Sequence, residues 1–467
     1  MSVSRRQFLK SSLFALATTG TIATTTSVPS KVIAQGNGTP NRSIREMMVG
    51  VDSKVSLANG TNAVAINFDN AAATPPFSQV LEEIQKQAQY YGSIGGGKGQ
   101  KSQHSTKIYE QGRQTVLNFV GGNPDKHAVF YVNNTTDGLN KLASALITSK
   151  EDIVLTSRME HHANDLPWRH RCNVIYAEVD RDGRLIYEDI ERLLKENSGK
   201  VKYVSITAAC NAAGYVNDVH AIASVAHKYG AQIIVDGAQI VAHRAFSMVG
   251  ADESEDIDYF VFSAHKMYAP FGSGAVVGLK KELDTKMPNF FGGGMVNVVT
   301  DSFETYYDHP ERYESGSPNY FGVVAMLKAI EILNDVGFEY IVEHEQVLMR
   351  RAIDGLKAIP GIILYSDVEN IADKVGLVIF NIDGIPHGDT AQKLADKRAI
   401  AVRQGAFCSH PYVFRLLGIS NEQIVRDMVR DDFVMPGMVR ASFGIYNDEE
   451  EVDIFLETVK EIAAERR

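Results

Sequence analysis

The sequence contains only three cysteines in 467 residues, Cys172, Cys210 and Cys408. So few cannot build a disulfide framework, and the odd count leaves at least one thiol free. Basic charge is also short, with 47 Lys and Arg against 57 Asp and Glu and a net charge of −10. That balance argues against a nucleic-acid-binding protein, because neutralising phosphates needs a basic face. No apolar run is long enough for a stable membrane span. There is no internal repeat, and no Cys/His cluster at zinc-like spacing. With 44% hydrophobic and 22% charged residues, most of the chain is neither disordered nor collagen-like. The length suits two or three domains at roughly 150 residues each.

Acid is missing altogether before Glu46, and what stands there instead is informative. Ser4-Arg5-Arg6-Gln7-Phe8-Leu9-Lys10 is a twin-arginine pattern, followed by a modestly apolar stretch from Ser11 to about Ala23. Val32-Ile33-Ala34 supplies small residues ahead of a cut before Gln35. A basic start, a short apolar region and a small-residue site together describe a signal peptide over residues 1–34. The plainer alternative is a basic tail. Twin-arginine export carries folded proteins, which suits an enzyme that acquires a cofactor before leaving the cytoplasm. The expected location is therefore periplasmic or otherwise extracytoplasmic, with the twin-arginine export machinery as a partner.

Residues 35–64 are polar and form an arm or linker. From residue 65 short β-branched runs alternate with amphipathic helical stretches. Strands are expected at 128–132, 153–156, 174–179, 201–206, 232–235, 258–262 and 275–279. Helices are expected at 78–91, 105–120, 137–148, 187–196 and 218–229. This alternation predicts an α/β domain over 65–330 with a mostly parallel sheet. A ligand would sit at the carboxyl ends of its strands. A helical pattern then runs from about 322 to 358. Strands follow at 361–365, 375–382, 398–402 and 438–443, and a terminal helix from 447. These predict a smaller α+β domain over 331–467.

Several segments carry chemistry-bearing residues, and each has a plain alternative. Lys266, in Ser263-Ala264-His265-Lys266, follows a strand and precedes Gly272-Ser273-Gly274. A buried lysine has a depressed pKa and a free amine that attacks carbonyls, although most lysines are solvated. Asp236 ends the apolar strand Ile233-Ile234-Val235, with Gln239 three residues on. A buried acid there needs a cation or donor, and a pyridinium nitrogen is one; helix capping is the other reading. Asn134-Thr135-Thr136-Asp137 opens a helix, so it is either an anion site or a simple cap. In His161-His162 one ring can stack on an aromatic ligand, or the pair belongs to a polar loop.

Taken together and in order, these segments resemble the pyridoxal-phosphate enzymes of the class V aminotransferase family. The likeness is strongest to the cysteine desulfurase and selenocysteine lyase branch. It runs from about Asn67 to Asp453 through FDNAAATP (68–75), NTTDGLN (134–140), MEHHANDLPW (159–168), SITAACNAAGYVNDV (205–219), IVDGAQIVAH (234–243), DYFVFSAHKMYAPFGSG (258–274), FGGGM (291–295), RYESGSPN (312–319) and RASFGIYN (440–447). The resemblance implies fold type I, usually a homodimer with shared active sites, and pyridoxal 5′-phosphate as cofactor. It implies that Lys266 holds the cofactor covalently and then moves protons. Asp236 would pair with the pyridine nitrogen, Gln239 and Asn211 would bond the ring hydroxyl side, and His161 would stack on the ring. Thr135, Thr136, Ser263 and His265 would hold the phosphate, and Ser317, where the family usually has Thr, would reach the phosphate of the partner subunit. Arg440, and with it Arg403, would bind the substrate carboxylate.

Cys408 stands at the position of the desulfurase nucleophile, which takes sulfur from L-cysteine and releases alanine. The family's usual Arg-Thr-Gly-His-His-Cys is here Arg403-Gln404-Gly405-Ala406-Phe407-Cys408. Both histidines are replaced, and apolar neighbours raise a thiol pKa. His410 is the nearest candidate substitute, and the plain reading of Cys408 is a buried small hydrophobe. Gly95-Gly96-Gly97-Lys98-Gly99 also departs from the family's Arg-Gly-x-His, and Cys172 and Cys210 are expected to be structural. Three functions therefore compete. One is a cysteine desulfurase, whose sulfur acceptor the sequence does not name. Another is an epimerase (isopenicillin N epimerase-like), aminotransferase or lyase without a thiol nucleophile. The last is an exported cofactor-binding protein without turnover.

Overall fold

The computed structural model describes residues 44–466. The twin-arginine segment, the apolar stretch after it and the cut before Gln35 lie outside the described residues.

The chain builds a seven-stranded sheet from β1 (His127–Val132), β2 (Ile153–Ser157), β3 (Asn173–Ala177), β4 (Val201–Thr207), β5 (Gln232–Asp236), β6 (Tyr259–Ser263) and β7 (Gly274–Leu279). Their order across the sheet is β1-β7-β6-β5-β4-β2-β3. Only β7 runs against its neighbours, pairing antiparallel with both β1 and β6. The other pairings are parallel. Every residue of β1, β6 and nearly all of β5 is buried, so these strands are continuous apolar runs rather than alternating ones. Apolar clusters cover both faces. One contains Val235, Phe260 and Phe262, the other Phe130, Ile234 and Val261.

Helices α1 (Ser78–Ala88), α2 (Gln100–Phe119), α3 (Thr135–Leu146), α4 (Tyr187–Glu196) and α5 (Val219–Lys228) flank this sheet close to the predicted ranges. Helix α3 lies unusually near it. A Cβ on Gly138 would sit 2.5 Å from Val261 Cγ1 and 2.8 Å from Val276 Cγ2. Only glycine permits that approach, and it brings the start of α3 beside the end of β6.

The predicted helix over 322–358 is instead two, α6 (Tyr320–Val336) and α7 (Phe338–Lys357). Gly337 separates them at φ +84°, where glycine alone is unstrained. Helix α6 spans position 330, so the chain leaves the large sheet along a continuous helix.

A second, wholly antiparallel sheet has the order β8 (Ile362–Leu364), β9 (Leu377–Ile382), β11 (Met438–Ser442), β10 (Arg403–Gly405). The strand expected at 398–402 does not join it. Ile400–Ala401 pairs in parallel with Ile66–Asn67, where Ile66 and Ile400 enter the same apolar cluster. Helix α8 (His387–Arg398) precedes that strand. The terminal helix α9 (Glu449–Ala463) begins in a capping box formed by Asp448 and Glu451.

Candidate active site

The carboxyl ends of the parallel strands meet at a cavity of about 350 Å³. Beta-strand ends β4, β5 and β6 supply Thr207, Asp236 and Ser263, and the loops after β1 and β2 supply Asn134, Thr135, Thr136 and His161. This is where an open α/β sheet binds ligands. The second sheet closes the cavity with Arg403, Arg440, Phe407 and Cys408.

Lys266 follows β6 in a single tight turn and reaches into the cavity. The ammonium has no hydrogen bond or ion pair among the described residues. Burial pushes the amine down to about 8, with Arg440 adding to the fall and Asp236 and Cys408 opposing it. The segment 68–75 braces this turn from outside. Thr74 N–H donates to the His265 carbonyl at 3.0 Å, and Thr74 Oγ1 accepts from Tyr268 N–H at 2.7 Å.

Asp236 is buried, and among the described residues its carboxylate takes one hydrogen bond, from the Ala238 N–H to Oδ1 at 2.9 Å. Burial raises its pKa against that bond and the Lys266 charge. Gln239 donates to the Ala71 carbonyl at 2.8 Å, while its Oε1 is buried without a partner among the described residues. Thr135 N–H and Oγ1 each lie 2.7 Å from Ser263 Oγ at the start of α3. That helix has twelve residues, and its positive end opens on the cavity. His265 is held down to about 4 and His161 to about 3, in both cases by burial with Lys266 adding to it. Both rings are therefore neutral. His161 is fixed as a cap by the Ala163 N–H donating to Nδ1 at 3.0 Å.

Arg440 is only 3% exposed. Its Nη1 donates to the Asn211 carbonyl at 2.6 Å and its Nη2 to Asp69 Oδ1 at 3.2 Å, while Nε is buried without a partner among the described residues. Arg403, its cross-strand neighbour, holds the same carboxylate through Nη2 at 2.6 Å. Burial takes Arg440 down to about 10.

Cys408 is exposed at the cavity, whereas Cys172 and Cys210 are buried. The thiol sits on a turn where Phe407 (φ +52°) and Cys408 (φ +53°) are both left-handed, a costly conformation for residues with a Cβ. The turn is held on two sides. Asn211 Nδ2 donates to the Phe407 carbonyl at 2.7 Å, and Asn211 Oδ1 accepts from Ser409 Oγ at 2.9 Å. His162 N–H donates to the Cys408 carbonyl at 2.7 Å, and the Arg440 guanidinium lies 5.2 Å from the Phe407 ring.

Twelve of the thirteen predicted site residues thus share one cavity: Thr135, Thr136, His161, Asn211, Asp236, Gln239, Ser263, His265, Lys266, Arg403, Cys408 and Arg440. Ser317 is exposed and does not line it, and neither does Lys98. His410 does not line it either; its ring packs on His162 with centroids 4.6 Å apart, and burial lowers its pKa. Asp69, which braces both arginines, was not anticipated although it lies in the FDNAAATP segment.

The family model "Aminotransferase class-V" matches residues 66–455. The chain belongs to the class-V aminotransferase family. Members of this family, the cysteine desulfurases among them, use pyridoxal phosphate. Similar class-V proteins include a cysteine desulfurase of Haloferax volcanii, 32% identical over 84% of this chain and 88% of that protein. Another, from Klebsiella pneumoniae, is 31% identical over 83% of this chain and 91% of its own length. Among solved structures, the apo cysteine desulfurase of Thermococcus onnurineus superposes with a TM-score of 0.76 at 29% identity, covering 86% of this chain and 95% of that one. A cysteine desulfurase of Escherichia coli gives 0.76 at 25% identity, covering 92% and 99%. The expected fold type I is therefore the fold of this class-V chain.

Proposed function

We propose that the protein is a pyridoxal-phosphate-dependent cysteine desulfurase that converts L-cysteine to L-alanine and leaves the sulfur on Cys408. The observation that carries this reading is the exposed Cys408 thiol on a pinned turn, lining one cavity with Lys266 and Arg440.

The residues present fit the cofactor. Asp236 has one amide partner and an oxygen to spare for a pyridinium N–H, and Gln239 Oε1 lacks the donor that it needs. Thr135, Thr136, Ser263 and His265 form the phosphate cradle at the positive end of α3, and the neutral His161 ring is available for stacking. Asn211 would add a contact on the ring hydroxyl side, and Ser317 belongs to the phosphate site of a partner subunit in a homodimer. When bound, the cofactor serves as an electron sink for the carbons of the substrate.

Around that sink the protein does the rest. Arg440 binds the substrate carboxylate through its guanidinium, with Arg403 at the entrance. Lys266, with a pKa near neutrality, takes and returns protons at the substrate carbons. The Cys408 thiolate attacks the substrate sulfur. An S–S bond forms, the C–S bond breaks with its electron pair going to carbon, and that carbon takes a proton as alanine leaves.

The test is turnover of L-cysteine by wild type and Cys408→Ala. The reading expects alanine and transferable sulfur from wild type only. Full sulfur release by Cys408→Ala would favour a thiol-independent lyase, whereas racemised or deaminated substrate without sulfur release from either enzyme would favour an epimerase or aminotransferase.

Two further proposals concern the rest of the chain. Arg5-Arg6 and the acid-free start support twin-arginine export to an extracytoplasmic compartment. The two separate sheets support a division into a large cofactor domain and a smaller C-terminal domain.

A further inference from the structure

Cys408 lines a second cavity as well as the first, and this one is larger, about 610 Å³. The two cavities share Thr136, His161, Ala163 and Cys408. Lys266, Asp236 and Arg440 do not line the second. Its own wall is the segment 162–171, with His162, Leu166, His170 and Arg171. This wall is anchored rather than loose. Trp168 is fully buried and donates from Nε1 to Asn164 Oδ1 at 3.2 Å, and Arg171 N–H donates to the Trp168 carbonyl at 2.9 Å. No carboxylate lines the cavity. The Arg171 guanidinium has no ion pair or hydrogen bond among the described residues, whereas Arg158 and Arg415 pair with Glu178 and Arg169 pairs with Asp165. The volume is that of a small-molecule site.

We propose that this second cavity seats the acceptor of the Cys408 sulfur, and that the acceptor is a small thiol bearing an anionic group. The proposal rests on the desulfurase reading above. Arg171 binds the anionic group, Leu166 packs on the carbon chain, and the acceptor sulfur meets Cys408 where the cavities join. The acceptor thiolate attacks the outer sulfur of the Cys408 persulfide. A new S–S bond forms on the acceptor, the bond to Cys408 breaks, and its electron pair returns to Cys408 Sγ as thiolate. No oxidant or reductant is consumed. Substrate and acceptor thus approach one sulfur from different cavities.

The test uses holoenzyme loaded with L-cysteine and three small thiols: mercaptoethanesulfonate, mercaptoethanol and dimethylaminoethanethiol, a cation whose tertiary amine does not react with the cofactor. Acceptor persulfide is trapped by alkylation and quantified at matched thiolate concentration. The expected order is anionic, then neutral, then cationic. Arg171→Gln is expected to weaken use of mercaptoethanesulfonate about tenfold, the loss of one charge-assisted hydrogen bond in a half-exposed site, and to leave use of mercaptoethanol unchanged. Independently of any variant, ethanesulfonate should inhibit transfer to mercaptoethanesulfonate without slowing the first release of alanine. A loaded Cys408 with no charge preference, or a preference that survives Arg171→Gln, would overturn this proposal alone. Ethanesulfonate that slows alanine release would overturn it too, by putting the anion in the first cavity. If no sulfur loads onto Cys408 at all, the desulfurase reading fails and this proposal falls with it.

Discussion

Arg440→Gln isolates the substrate-binding step. In the wild type the guanidinium is buried, two of its nitrogens are occupied by Asn211 and Asp69, and Nε is unpartnered. The substitution removes a charge-assisted contact to the substrate carboxylate, worth about 2 kcal/mol, or about thirtyfold in kcat/KM. It should not unfold the protein, because Asp69 keeps its pair with Arg403 at 2.6 Å. The assay is steady-state alanine release from L-cysteine, with cofactor absorbance as the check on folding. Cysteamine, which lacks the carboxylate, is the control for binding, and its processing should be affected little. The reasoning would be refuted if a cofactor-loaded Arg440→Gln enzyme kept kcat/KM for L-cysteine within about threefold of wild type.

Four other perturbations test the site and the fold around it. Cofactor-free protein should capture pyridoxal phosphate through the neutral Lys266 amine. The amine pKa lies near 8 rather than at its ordinary value, so capture should speed up as pH rises and level off above about 8. In Asp236→Asn the carboxylate that favours the ammonium is gone and the profile should shift to lower pH; a wild-type profile still rising at pH values near that of a free lysine would contradict the burial argument. Gly138→Ala places a Cβ against Val261 and Val276 and should destabilise the protein by about 1–3 kcal/mol in urea denaturation, with an unchanged midpoint counting against the tight helix–sheet contact. Asn211→Ala frees the Phe407 carbonyl and Ser409 and should lower sulfur transfer to Cys408 about tenfold while the cofactor stays bound; normal transfer would mean that the turn needs no such support.

Much of the large sheet could be foreseen because strands buried on both faces are plain apolar runs, as in β1 and β6. Asp236, at the end of one such run, and Lys266, just after another, stood out by position, whereas the role of Ser263 came from the family resemblance. The break at Gly337 was missed because apolar residues continue on both sides of it, and a lone glycine inside a helical pattern does not say whether the chain turns there. The strand at 400–401 was foreseen, but not its partner. Pairing with Ile66 depends on a contact far along the chain, which local pattern cannot supply. The same limit applies to the Cys408 turn. Its flanking Ala406 and Phe407 suggest a buried thiol, yet Asn211 and His162, from other loops, hold it in an exposed left-handed turn.

The central claim is that Cys408 receives the substrate sulfur, and the mass of its peptide tests this most directly. Holoenzyme is mixed with one equivalent of L-cysteine and no other thiol, alkylated, digested and weighed. The account predicts one additional sulfur on the peptide carrying Cys408, none on those carrying Cys172 or Cys210, and alanine in equal amount. Alanine or another product formed with Cys408 left unmodified would contradict it.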